Sequence, residues 1–106
     1  MIDSRLLVID DDAAVGRFIA SVAKRCGYQV ESVSQADDFR RRLDEWHPSH
    51  IALDLQMPES DGIELLRFLA HRQCRARIMV MSGVDQKIIE SARHLGISSG
   101  LDIAAT

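Results

Sequence analysis

The sequence has 106 residues, a formal net charge of −3, 46% hydrophobic and 27% charged residues, which fits one domain, 1–106, built on a single core. That balance excludes nucleic-acid binding through bulk positive charge. No apolar run approaches the roughly 18 residues a membrane-spanning helix needs, and Asp3 with the short run Leu6 to Ile9 is not a secretory signal, so a cytoplasmic protein is expected.

In chain order, Arg5 to Ile9 is a continuous apolar run of strand length, stopped by Asp10, Asp11 and Asp12. Unbroken apolar character fits a parallel strand covered on both faces. Val15, Phe18, Ile19, Val22, Ala23 and Cys26 then recur at helical spacing and predict an amphipathic helix from about Ala13 to Cys26, with Asp12 placed to cap it and Gly27 to stop it. Tyr28 to Val33 alternates, as a strand with a less-buried side or an edge position does. Ser34 and Asp37 resemble a capping box, and Ala36, Phe39, Leu43 and Trp46 mark a second helix that ends before Pro48.

Ile51 to Leu55 is a third strand with Asp54 set against its apolar pattern. Met57-Pro58 ends it and Asp61-Gly62 is a turn signal. A charge near a buried strand needs a local reason, because burying it unpaired is expensive. A third helix follows with Ile63, Leu66, Leu69 and Ala70 on its apolar face and Arg67, Arg72 and Arg75 solvated. Ile78 to Met81 is a fourth strand, broken at Ser82-Gly83. Ile88, Ile89, Ala92 and Leu95 predict a fourth helix from about Asp85 to Leu95 with Gly96 as its stop, and a fifth strand is expected to begin at Ile103.

Strands alternating with helices imply right-handed crossovers and a parallel sheet between helical layers. In such open sheets ligands sit outside the carboxyl ends of the strands. The first, third and fourth strands end in Asp10-Asp11, Asp54 and Ser82, so one rim gathers them. Clustered carboxylates repel unless a cation sits among them, and hard oxygen donors suit Mg²⁺, which takes one or two carboxylates plus phosphate oxygens. An aspartate there is also a nucleophile toward a phosphoryl group, and Ser82 is placed to donate to a phosphate oxygen. Taken singly, each of these residues is more often a cap or a turn; their coincidence on one rim is the specific signal. Cys26 and Cys74 read as reduced packing residues, and His47, His50, His71 and His94 lack the spacing of a zinc site.

The runs Leu7-Val8-Ile9-Asp10-Asp11-Asp12, Leu53-Asp54-Leu55-Gln56-Met57-Pro58, Asp61-Gly62-Ile63-Glu64-Leu65-Leu66 and Met79-Val80-Met81-Ser82-Gly83 together resemble a response-regulator receiver domain of two-component signalling. The resemblance implies a flavodoxin-like, doubly wound parallel sheet of order 2-1-3-4-5, the order of a chemotaxis receiver. It implies that Asp54 accepts a phosphoryl group from the phosphohistidine of a sensor histidine kinase or phosphotransfer protein. Asp10, Asp11, Asp54 and the backbone carbonyl of Gln56 would hold Mg²⁺, with Asp10 acting partly through water. Ser82 would contact the phosphoryl group and act as the switch toward an output domain or downstream protein. The domain would assist its own phosphorylation without being an enzyme in the ordinary sense.

The sequence departs from that pattern at its carboxyl end. The family's lysine after the fifth strand has no match, since the two lysines, Lys24 and Lys87, lie in or beside helices, and the fifth helix is missing too. The expected fold is therefore C-terminally incomplete, with apolar sheet surface uncovered that predicts a homodimer or other packing through that side. The stretch from Gly83 onward is similar to receivers attached to cyclic-dinucleotide phosphodiesterases. A different reading is a degenerate receiver that serves as a phosphate-independent interaction or dimerisation scaffold. A Mg²⁺-dependent phosphohydrolase is disfavoured by Gln56, which stands where such enzymes want a second aspartate, and nucleotide binding by the lack of a glycine-rich first loop.

Overall fold

The computed structural model describes residues 4–55, 62–81 and 86–105. Five parallel strands stand in the order β2-β1-β3-β4-β5: β1 (Arg5–Ile9), β2 (Gln29–Val33), β3 (His50–Asp54), β4 (Arg77–Met81) and β5 (Asp102–Ala105). They alternate with α1 (Ala13–Arg25), α2 (Ala36–Trp46), α3 (Gly62–His71) and α4 (Gln86–Ser98). The chain steps outward from β1 to β2 and then back across β1 to β3. Right-handed crossovers therefore put α1 on one face of the sheet and α2, α3 and α4 on the other. The alternating strand β2 sits at the edge, as its pattern predicts.

The core lies on the three-helix face. Leu7, Ile9, Ile51, Leu53, Ile78 and Val80 from the sheet pack with Phe39 and Leu43 of α2, Leu65, Leu66 and Leu69 of α3, and Ala92 of α4. The helices enter this core by their spacing, and Leu65 joins the face expected for α3 because a stripe this wide takes residues on both sides of its centre. Arg42 of α2 bonds Glu31 of β2 through two guanidinium nitrogens, which ties the helix to the edge strand. That pairing also raises the guanidinium pKa above its usual value. Among the described residues both cysteines are free thiols, and burial pushes the Cys74 thiol up.

Three local expectations are corrected. Ser34 does not cap α2: the cap position is Gln35, with no side-chain hydrogen bond to the helix, and the acidic residues Asp37 and Asp38 in the first turn face its amino-terminal dipole instead. Gly96 does not stop α4, which runs to Ser98. A Cβ on Gly96 would stand 2.7 Å from Ile103 Cγ1, so the glycine admits β5 against the helix, and the left-handed turn falls at Gly100 (φ +85°).

The third concerns α1, whose buried face overlaps its apolar stripe only in part: Ala23 belongs to both and Ile19 is half-buried. The helix meets the sheet along Gly16 and Ala23; a Cβ on Gly16 would lie 2.4 Å from Ser32 Oγ, so that hydroxyl would have to turn aside. This orientation of the helix leaves Val15, Val22 and Cys26 exposed and Phe18 69% accessible. Met79, which alternates with the buried Ile78 and Val80 and so points to the α1 face, is 37% exposed.

Candidate functional site at the carboxyl rim

Asp10 follows the last residue of β1 and Asp54 is the last residue of β3, the two central neighbours in the sheet. Both are only 8% exposed, and Asp11 stands beside them, open to solvent. One carboxylate oxygen from each of Asp10, Asp11 and Asp54 lies within 4.8 Å of the others. The rim thus brings together the three acids that the sequence singles out. Such a spacing suits three oxygens around one cation, and an all-carboxylate donor set with one open side fits a hard divalent ion such as Mg²⁺.

Backbone contacts fix the chain around the acids. The Asp10 amide donates to the Val33 carbonyl at the end of β2 (3.2 Å). Its Oδ1 accepts from the Asp12 amide (2.9 Å), which folds the chain sharply out of β1 and turns Asp11 toward the rim. Asp12 then caps α1, its Oδ1 accepting from the amides of Ala14 (2.9 Å) and Val15 (3.4 Å). Three consecutive aspartates therefore do three things: one is buried and braces the turn, one is presented to solvent, and one starts a helix. On β3, the Leu55 amide donates to the Met81 carbonyl (2.9 Å), which carries the sheet one residue past Asp54. The N-terminus of α1 opens at the same rim, and its dipole favours negative charge there.

Ser82 and Gln56, the remaining predicted site residues, and Asp61 of the turn signal lie outside the described residues. The motifs mark Gly62 as part of a turn, and the structure makes it the first residue of α3. A Cβ there would be 2.8 Å from the Asp54 carbonyl oxygen and 2.6 Å from Leu55 Cα, so α3 begins directly against the backbone that carries Asp54. No helix among the described residues is long and apolar enough to cross a membrane.

Comparison with known proteins points the same way as this geometry. The response regulator receiver domain family matches residues 6–102. The transcriptional regulatory protein GltR of Pseudomonas aeruginosa is 34% identical over 100 residues, covering 92% of this chain and 40% of that protein. The chain thus spans about two-fifths of the length of that relative. Among solved structures, a response regulator from Colwellia psychrerythraea is 29% identical with a TM-score of 0.81, over 97% of this chain and 82% of that one. A response regulator from Burkholderia pseudomallei with a phosphorylated aspartic acid, a calcium ion and citrate is 25% identical with a TM-score of 0.82, over 97% of this chain and 59% of that one.

The division of labour among the three aspartates is open to test. Asp12→Ala should lower unfolding free energy by about 1 kcal/mol, the usual value of a lost helix cap, in urea melts, while Mg²⁺ affinity stays at the wild-type value. A tenfold loss of Mg²⁺ affinity in this variant would instead make Asp12 part of the ion site.

Proposed function

Because the chain belongs to the receiver domain family of two-component response regulators, we propose that Asp54 is its phosphoryl acceptor in a Mg²⁺-dependent switch. The observation that carries this reading is the convergence of Asp10, Asp11 and Asp54 within 4.8 Å at the end of two central strands. The donor is the phosphohistidine of a sensor histidine kinase or a phosphotransfer protein. A carboxylate oxygen of Asp54 attacks phosphorus in line with the leaving nitrogen; the P–N bond breaks, its electron pair stays on the imidazole, and an acyl phosphate forms on Asp54. Asp10, Asp11, Asp54 and the Gln56 carbonyl would hold Mg²⁺, which would supply positive charge against that developing on the transferred group. Asp10 is nearly buried and already bonded to the Asp12 amide, so it holds the rim in shape, while Asp11 is the more open to solvent and to an incoming ion. Ser82 donates a hydrogen bond to the phosphoryl group and passes its presence on.

The chain assists its own phosphorylation and dephosphorylation but turns over no separate substrate. It works in the cytoplasm through an output domain or a downstream protein, a cyclic-dinucleotide phosphodiesterase being one such output, and does not itself contact nucleic acid. A second reading is a phosphate-independent interaction or dimerisation scaffold, which exposed apolar surface favours. Val15, Phe18 and Val22 of α1 are exposed, and so in part is Met79 of β4, which supports self-association through the α1 side of the sheet, since exposed apolar surface tends to find a partner.

Incubation with a small-molecule phosphodonor and Mg²⁺, followed by intact-mass measurement, should add one phosphoryl group to the wild type and none to Asp54→Ala. An unmodified wild type would favour the scaffold, and continuous release of phosphate would favour a hydrolase. Sedimentation should show concentration-dependent association that Phe18→Glu weakens; a wild-type monomer at high concentration would rule out the homodimer.

A further inference from the structure

We propose that Gly62 is a positioning residue for Asp54, an inference that rests on the role of Asp54 given above. The first residue of α3 meets the end of β3 at a distance no side chain tolerates. A Cβ on Gly62 would stand 2.6 Å from Leu55 Cα and 2.8 Å from the Asp54 carbonyl oxygen, with Leu55 Cδ2 at 3.0 Å. Two of these three neighbours are backbone atoms, so a change of rotamer cannot relieve the clash. The separation from the Leu55 α-carbon would have to open from 2.6 Å to at least 3.4 Å before it reached ordinary van der Waals packing.

The movable element in such a clash is the end of β3 or the start of α3. The rest of both is locked. Ile51, Ala52 and Leu53 of β3 are at most 1% exposed, and Leu65, Leu66 and Leu69 anchor α3 in the same core. The Leu55 amide is also tied to Met81 across the sheet. Strain at this contact therefore bears on Asp54 and Leu55, the two residues whose backbone it touches, and the Asp54 carboxylate must stay within 4.8 Å of Asp10 and Asp11. A displacement approaching 1 Å at a reacting group costs roughly 10²-fold in rate. By this account the glycine is required for what it omits: it lets the helix press on the strand end and hold the acceptor against its two neighbours. Gly62 is helical, the first residue of α3, so its role here is one of space.

Gly62→Ala tests the proposal, with Gly96→Ala as its control. The control places the same methyl group against Ile103 in the packing of α4 on β5, far from the acids. Mg²⁺ affinity is read by calorimetry, phosphorylation rate by mass with a small phosphodonor, and stability by thermal melts. Gly62→Ala should raise the Mg²⁺ dissociation constant roughly tenfold and slow phosphorylation roughly 10- to 100-fold, whereas Gly96→Ala leaves both unchanged although it lowers the melting temperature. A folded Gly62→Ala with wild-type affinity and rate would overturn the proposal, and so would equal losses in the two variants. If Gly62→Ala unfolds at room temperature, the Mg²⁺ titration is made in the cold with sucrose, which favours the compact state, and the same two outcomes decide. A wild type that binds Mg²⁺ but accepts no phosphate would defeat the acceptor role of Asp54 alone; the positioning role then stands or falls on the metal affinities.

Discussion

Holding three carboxylates within 4.8 Å of one another sets like charges in mutual repulsion, and the remainder of the molecule works against that constraint. Two of the three, Asp10 and Asp54, are nearly buried, where water screens them least. Their positions are imposed from below by strands that have no freedom to separate: β1 and β3 pair along Leu6 to Ile9 and His50 to Leu53, and Leu7, Val8, Ile9, Ala52 and Leu53 are fully buried. Apolar burial thus stabilises an arrangement that electrostatics alone would disperse. A divalent cation at the open side would reverse the sign of the interaction.

The rim is braced from three directions. Val33 at the end of β2 accepts from the Asp10 amide, Met81 at the end of β4 accepts from the Leu55 amide, and α3 presses on Asp54 and Leu55 through Gly62. Asp12 adds a fourth restraint by starting α1 where β1 ends. The first three act on backbone, so they hold the chain beneath the acids whatever the carboxylates themselves contact. The opposite face of the sheet is different: α1 alone covers it among the described elements, and Val15, Phe18, Val22 and Met79 remain accessible. Rigidity at the acidic rim and apolar exposure on the α1 face suit a module that holds its chemistry fixed and offers a surface to something else.

Much of this is legible in the sequence. Unbroken apolar runs locate β1, β3 and β4, alternation places β2 at an edge, and the motifs around Asp10, Asp11 and Asp54 mark the acids that the fold brings together. The cap at Asp12 follows from residue type and position. Periodicity does not say which side of a helix the sheet will take. In α1 the largest apolar residues, Val15, Phe18 and Val22, are exposed, while the small Gly16 and Ala23 are the buried positions. Gly96 departs from its expected role for a reason of size: glycine stops helices, but it also lets two elements touch, and here Ile103 occupies the space. Gly62 belongs to this class too, since its value lies in how closely α3 approaches the end of β3, which no local pattern records.

The central claim is that the three carboxylates form one divalent-ion site. Calorimetric titration with Mg²⁺ tests it most directly, comparing the wild type with Asp11→Asn, which keeps the shape of the side chain and removes its charge. The account predicts one Mg²⁺ bound per chain and a loss of roughly tenfold or more in affinity on substitution. A wild type that binds no Mg²⁺, or an Asp11→Asn variant that binds it equally well, would contradict the account.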